Sequence, residues 1–427
     1  MTRTKIIRRD EKEYFILLQD SGKWHLINEK YDASKISRYK PYETNNPYIG
    51  CENKNGGTLS IIVFMTEKCN LRCDYCKVAR MVTSPRKKKT DAKKITKRLI
   101  ESLNWAEGEI NIIFYGGEPL LQYKEINDIC NDLEHHNKWR FIYSVTTNGT
   151  LFNDDILQVL VRHNIKVGVS MDGKHESHDD HRVYIARNGS HHLVSKNYSI
   201  MKKSGLQCGP ICVITNPSSY IETFDYFVEQ FNDTYIYLKP LEVTGLEDCR
   251  ELSRYFQSLL EQQLELLRRN ITDFAAGKVG LVETHTMTKL ENILLSHDPG
   301  IKTCKNDHMS HCSINKNIRG IESDGVVTPC PTMKKHDEWD QAFVELVAKK
   351  NGYCEDCNYS SVCTSFCLGE MDSNYIRSFV ENNNTEHVDI ICRYNKLFID
   401  AVFDMLRENK KHLVDYVFQL DHGSLRQ

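Results

Sequence analysis

The sequence predicts an α/β fold: an open, partial barrel of six β/α units followed by a small cysteine-rich domain. Two observations predict the barrel. Short apolar runs alternate with stretches of helical periodicity between Leu59 and Pro240, the pattern of a parallel sheet wound with helices. Six such runs occur, each dense in Ile, Val, Phe, Tyr or Leu. A third observation predicts the domain behind it: between Cys304 and Cys392 periodicity gives way to closely spaced cysteines, so metal must replace much of the missing core there.

Taken in order, strands are expected at 59–65, 109–115, 140–146, 165–171, 209–215 and 234–240. Among the helices between them, Ile126, Cys130 and Leu133 recur at i, i+4, i+7, and Asn153–Asp154–Asp155 supplies a cap for the helix carrying Leu157 and Leu160. Ahead of the barrel, 13–18 and 23–28 flank a turn and read as a hairpin. Such a hairpin either caps the barrel or offers an edge to which a leader peptide adds a strand. Beyond the barrel, 252–269 reads as an amphipathic helix with Leu252, Phe256, Leu259, Gln263 and Leu267 on one stripe. A closing helix from 393 to about 418 places Leu397, Ala401, Met405 and Leu406 on its apolar side. The expected organisation is an N-terminal extension (1–58), the barrel (59–250), a helical bridge (251–303), the cysteine domain (304–392) and a terminal helix (393–427).

The 427 residues carry 56 basic against 58 acidic side chains, a formal charge of -2. That balance gives no case for a nucleic-acid partner. No apolar stretch reads as a signal-peptide core or a membrane span, so a cytoplasmic protein is expected, with no membrane partner. The 16 cysteines then point to metal or catalysis, because reducing cytosol disfavours structural disulfides.

Cys69, Cys73 and Cys76 form C-x3-C-x2-C directly after the first strand, at the sheet edge where α/β barrels place their chemistry. Three thiolates can hold three irons of a 4Fe-4S cluster and leave the fourth open. A zinc knuckle is the competing reading, but structural zinc wants four ligands and no fourth follows nearby. At this point the sequence resembles the radical SAM (S-adenosylmethionine) superfamily, whose open iron chelates the amine and carboxylate of SAM. The resemblance assigns Gly116, Gly117, Glu118 and Pro119 to the methionyl amine. Asn148, in Thr147–Asn148–Gly149, and Asp172, in Ser170–Met171–Asp172–Gly173, end the third and fourth strands. In similar proteins Ser170 faces the ribose, Arg182 of the HDxxR-like 178–182 element faces the SAM carboxylate, and Val213, Ile214 and Tyr75 line the adenine pocket. Each also has a plainer reading: turn chemistry for Asn148–Gly149, a surface charge for Arg182, barrel core for Val213. Their common edge and order favour the site. Lys77 departs from the aromatic that related enzymes often carry there.

Cys312, Gly325, Cys330, Cys354, Cys357, Cys363, Cys367 and Cys392 match the SPASM pattern of radical SAM enzymes that modify peptides and proteins. With Cys304 the thiolates number eight, enough for two fully ligated 4Fe-4S clusters; a pair of zinc sites is the alternative. By resemblance, Cys304, Cys312, Cys330 and Cys367 hold the inner cluster, and Cys354, Cys357, Cys363 and Cys392 the outer. Cys51, Cys130, Cys208, Cys212 and Cys249 read as small buried apolar residues.

The resemblance thus implies three 4Fe-4S clusters, SAM, and reductive cleavage of SAM to a 5′-deoxyadenosyl radical that oxidises a ribosomally made peptide or protein. A thioether or carbon–carbon crosslink is the expected product, with an external donor such as flavodoxin or ferredoxin. An anaerobic sulfatase maturase is the alternative, although that subfamily has an Asp where this chain has Pro331. A non-catalytic iron–sulfur electron carrier is a third, which a SAM pocket argues against. The catalytic acid or base is not legible.

Overall fold

The computed structural model describes residues 4–8, 14–18, 24–27, 59–76, 78, 90–103, 108–241, 248–294, 318–328, 352–354, 357–359, 362–363, 379 and 382–424. At the N-terminus β1 (Thr4–Arg8), β2 (Tyr14–Leu18) and β3 (Trp24–Ile27) form a three-stranded antiparallel sheet. The expected hairpin is its second half, with Tyr14 opposite Ile27.

All six barrel strands appear: β4 (Leu59–Thr66), β5 (Gly108–Gly116), β6 (Trp139–Thr147), β7 (Lys166–Ser170), β8 (Cys208–Ile214) and β9 (Tyr235–Pro240). They lie side by side in chain order, every neighbouring pair parallel. The sheet is larger than expected. β10 (Val282–Glu283) adds to β9, and β11 (Ile318–Ile321) pairs parallel with β4 and antiparallel with β12 (Val327–Thr328). Residues 318–328, assigned from sequence to the cysteine domain, therefore complete the main sheet. Among the described residues its two ends, β10 and β12, are not paired with each other, which leaves the barrel open.

Helices cover the outer face: α1 (Ala92–Ser102), α2 (Tyr123–Glu134), α3 (Asp154–Arg162), α4 (His175–Asp179), α5 (His191–Lys203) and α6 (Tyr220–Phe231). The strands alternate accordingly. Along β5, Ile110, Ile112 and Phe114 are buried, while Asn111, Ile113 and Tyr115 on the opposite face are half-buried. Ile126, Cys130 and Leu133 sit in the core as expected. Asn153 caps α3, its side chain accepting from the Ile156 N–H at 2.9 Å.

Two long helices pack beside the barrel, α7 (Cys249–Ala275) and α9 (Glu386–Ser424), with the shorter α8 (Thr284–Leu294) against them. The α7 stripe of Leu252, Phe256, Leu259, Gln263 and Leu267 is buried throughout. In α9, which breaks at Asn409, Leu397 is 45% exposed, contrary to expectation. Met405 and Leu406 are buried as expected, but toward the start of the helix the buried stripe runs through Tyr394, Phe398 and Val402 rather than Leu397, because α7 and α8 meet that side of the helix. Among the described residues, no helix is long and apolar enough to cross a membrane.

Candidate active site

The loop carrying Cys69, Cys73 and Cys76 leaves β4 through a register shift between Phe64 and Thr66, a kind of irregularity that re-aims chains beside active sites. Backbone hydrogen bonds hold it from two sides. Gly117 N–H donates to Thr66 O at 2.7 Å and Glu118 N–H to Lys68 O at 2.8 Å, while Arg72 N–H donates to Val183 O at 2.7 Å. The glycine pair is explained by this approach. A Cβ on Gly117 would meet Lys68 O at 2.3 Å, and one on Gly116, whose φ is +138°, would meet Thr66 O at 2.4 Å. Both glycines thus admit the cysteine loop itself.

Glu118 is fully buried and closes onto the next strand end. Its carboxylate accepts from Leu120 N–H (3.0 Å), Thr147 Oγ1–H (2.8 Å) and Asn148 N–H (2.7 Å). Burial pushes its carboxyl up to about 7 despite those three donors, which favour the ionised form. Pro119 begins the short 3-10 turn that Glu118 caps. Glu118, read from sequence as a receiver of the SAM ammonium, here ties β5 to β6.

Asn148 is equally engaged. Its Oδ1 accepts from Thr150 N–H at 3.0 Å and Thr150 Oγ1–H at 2.7 Å; its Nδ2 donates to Asn70 Oδ1 at 2.9 Å and approaches Cys69 Sγ at 3.7 Å. Leu71 N–H also points at Cys69 Sγ, at 3.4 Å. The sequence reading missed Asn70 and Thr150; the one available signal was an amide-bearing side chain between two cysteines.

Asp172 is the hub of the opposite wall. It receives Arg182 Nε at 2.8 Å and Nη2 at 3.1 Å, the Val213 N–H at 2.9 Å, and the Tyr75 hydroxyl. The Arg182 guanidinium also lies 5.3 Å from the Tyr75 ring centre. A relay runs behind it: Asp172 N–H donates to His178 Nδ1 at 3.2 Å, His178 Nε2 meets Ser190 Oγ at 2.9 Å, and Ser190 Oγ–H donates to Arg182 O at 2.7 Å. One tautomer satisfies every bond, the neutral imidazole with its proton on Nε2, and burial lowers the His178 pKa to about 4. Asp179 caps α5 through Ser190 N–H and His191 N–H. Ser170 and Val213 are half-buried at the ends of neighbouring strands. Hydrogen bonds thus join Cys69, Asn148 and Glu118 on one side of the loop and Tyr75, Asp172 and Arg182 on the other, with Cys73 within electrostatic reach of Cys69, Asp172 and Arg182.

The donor set fits an iron–sulfur cluster. Burial pushes the Cys73 thiol up to about 12 and raises that of Cys69, so thiolate there requires a cation to offset it, as metal coordination does. Among the described residues no three His, Cys, Asp or Glu side chains gather closely enough to share a single metal ion. In the second constellation, Cys354 and Cys363 lie within electrostatic reach of Cys392, and Cys357 N–H closes a turn onto Cys354 O at 3.1 Å. Cys304, Cys312, Cys330 and Cys367 lie outside the described residues, as does Cys51. Cys130 and Cys212 are buried as expected; Cys208 is half-buried, and Cys249 is half-buried against His387, with Sγ 3.5 Å from Nε2.

A parallel partial barrel with three thiols, a glycine pair and a buried acid–arginine fork at its C-terminal edge is the arrangement of an α/β-barrel enzyme whose chemistry sits at the strand ends. Residues 63–229 match the family model described as the Radical SAM superfamily. This stretch is a radical SAM domain, and the chain as a whole is similar over most of its length to anaerobic sulfatase-maturating enzymes. A cysteine-type anaerobic sulfatase-maturating enzyme of Clostridium novyi (strain NT) is 26% identical over 369 residues, covering 78% of this chain and 92% of its own. The radical SAM cyclopropyl synthase TigE of Paramaledivibacter caminithermalis is 23% identical over 348 residues, covering 74% and 69%. In fold, the solved structure of native anSMEcpe with bound AdoMet superposes with a TM-score of 0.64 at 21% identity, covering 85% of this chain and all of that one. The same protein with bound AdoMet and Cp18Cys peptide gives 0.63 at 20% identity, with the same coverage.

Proposed function

We propose that this enzyme cleaves SAM at the loop of Cys69, Cys73 and Cys76 and uses the resulting radical to oxidise a side chain of a polypeptide substrate. The observation carrying this reading is the convergence of that loop with Arg182, Asp172 and Tyr75 at one sheet edge. When bound there, a 4Fe-4S cluster supplies the electron that splits SAM into methionine and a 5′-deoxyadenosyl radical. The protein's part is positioning and exclusion of water. Asp172 takes two of the Arg182 N–H groups and so orients the rest, which suit the SAM carboxylate. Val213 and Tyr75, both tied to Asp172, would border the adenine, and Ser170 the ribose.

The cysteines of the C-terminal region would hold two auxiliary clusters, Cys304, Cys312, Cys330 and Cys367 the inner, and Cys354, Cys357, Cys363 and Cys392 the outer. Full ligation would leave no iron open for substrate, and clusters held there would supply an exit for the electron that a substrate radical must lose to reach a closed-shell, oxidised product. A peptide substrate is supported by the relatives, which include sulfatase maturases, a cyclopropyl synthase and a structure holding a peptide. Crosslinking of a ribosomally made peptide is the first reading, because Pro331 stands where the maturase subfamily carries its Asp. The lengthwise match to the Clostridium novyi maturase supports formylglycine formation as the second.

Anaerobic co-expression with short peptides encoded beside the gene, followed by mass measurement, separates the two. Loss of two hydrogens per modification with blocked fragmentation between two residues, absent with Cys73→Ala, establishes crosslinking. Unchanged peptides, together with loss of sulfur from a cysteine in a sulfatase-derived peptide, establish the maturase instead.

A further inference from the structure

Asn70, Asn148 and Thr150 close a ring of hydrogen bonds with a single consistent direction. Asn148 Nδ2–H donates to Asn70 Oδ1 at 2.9 Å, Asn70 Nδ2–H to Thr150 Oγ1 at 2.7 Å, and Thr150 Oγ1–H to Asn148 Oδ1 at 2.7 Å. Turning either amide over would set donor against donor or acceptor against acceptor, so the ring fixes both amide orientations. Two further bonds pin Asn148 from outside: Thr150 N–H on its Oδ1 at 3.0 Å, and Glu118 on its backbone N–H at 2.7 Å. One Nδ2 hydrogen remains, and Cys69 Sγ lies 3.7 Å from that nitrogen.

We infer that this ring is a device for holding an N–H···S hydrogen bond on one ligand of the SAM-cleaving cluster, and so for setting its reduction potential. The inference rests on Cys69 being a ligand, as proposed above. Reduction adds negative charge to the cluster and its sulfurs, and a fixed N–H dipole aimed at a ligand sulfur stabilises the more negative state. The bond therefore raises the potential relative to the same cluster without it. Asn148 is half of a pair of donors on that sulfur, the other being Leu71 N–H at 3.4 Å. Because Asn148 is only 7% exposed, water is poorly placed to replace it. Asn70 and Thr150 are positioning residues: neither touches Cys69 Sγ through its side chain, and each acts by orienting the Asn148 amide.

The test is an anaerobic redox titration of the reconstituted enzyme followed by electron paramagnetic resonance. The relevant cluster is identified by the reduced signal that changes on adding SAM, and the other reduced signals serve as internal controls. Asn148→Ala is expected to shift the SAM-responsive potential to more negative values. Thr150→Val and Asn70→Ala shift it in the same direction by a smaller amount, and Thr150→Ser restores the wild-type value. The double variant Asn148→Ala/Thr150→Val shifts no further than Asn148→Ala alone, since Thr150 acts only through Asn148. Unshifted potentials in the variants, or additive shifts in the double variant, overturn the inference. A wild-type enzyme with no SAM-responsive signal would instead overturn the assignment of the cysteine loop, so the two failures are distinguishable.

Discussion

Arg182 grips Asp172 at two points, Nε to Oδ2 at 2.8 Å and Nη2 to Oδ1 at 3.1 Å, with Arg182 7% and Asp172 3% exposed. The carboxylate also receives Val213 N–H and the Tyr75 hydroxyl, so every donor around it expects a negative charge. Asp172→Asn keeps the shape and removes that charge. Breaking one side of a buried ion pair costs about 3–5 kcal/mol. Denaturant unfolding of the holoenzyme is therefore expected to show a loss of that order, accompanied by weaker SAM binding in equilibrium titration. Stability within about 1 kcal/mol of wild type would show that the fork does not organise this wall.

Gly117→Ala tests the close approach of the two loops. The added Cβ would sit 2.3 Å from Lys68 O and 2.7 Å from Lys68 C, backbone atoms that cannot swing aside. A destabilisation of roughly 2 kcal/mol or more is expected, together with reduced iron content, since the displaced segment carries Cys69. Gly209→Ala is the contrast, because its Cβ would meet only Tyr235 O at 3.9 Å. Equal melting temperatures for the two variants would refute the close approach.

His178 makes a prediction about pH. Its folded pKa, lowered to about 4 by burial, lies below the ordinary value near 6.5. Between those values the unfolded chain binds the proton and the folded chain does not. Stability from this residue is thus fully present above about 6.5 and lost as pH falls towards 4, on the order of 3 kcal/mol over the window. His178→Gln cannot titrate, so its stability, measured by denaturant unfolding from pH 7.5 to 4.5, should fall less steeply than that of wild type. Parallel curves would show that His178 does not carry the acid sensitivity.

Cys73→Ala and Cys392→Ala separate the two proposed roles of iron. Each is expected to lose about four irons per chain, counted by elemental analysis. Only Cys73→Ala should abolish SAM cleavage, measured as 5′-deoxyadenosine formed under reducing conditions. Cys392→Ala should retain it while product formation falls at least tenfold. Undiminished product from Cys392→Ala would exclude the outer cluster from the electron path.

The strand order and the cysteine loop were legible because both are local. A strand announces itself by apolar residues within a span of a few positions, and C-x3-C-x2-C places three thiols on one loop whatever surrounds it. The packing of α9 was only half legible: heptad-like spacing marked the helix, yet the side meeting α7 and α8 left Leu397 exposed. Periodicity shows that a helix has a buried face, but neighbours decide where that face is centred when several adjoining positions are apolar.

By itself the sequence determined the six parallel strands, the edge at which chemistry sits, and the residue types gathered there. Tertiary structure alone decided what each of those residues touches. Asn70 reaches Thr150 across 80 positions, Asp172 accepts from Val213 across 41, and β11 joins β4 from the far side of the barrel. No spacing rule encodes such pairings. They arise where strand ends converge and buried polar atoms must each find a partner, because a donor or acceptor left unpaired away from water costs more than most single contacts return.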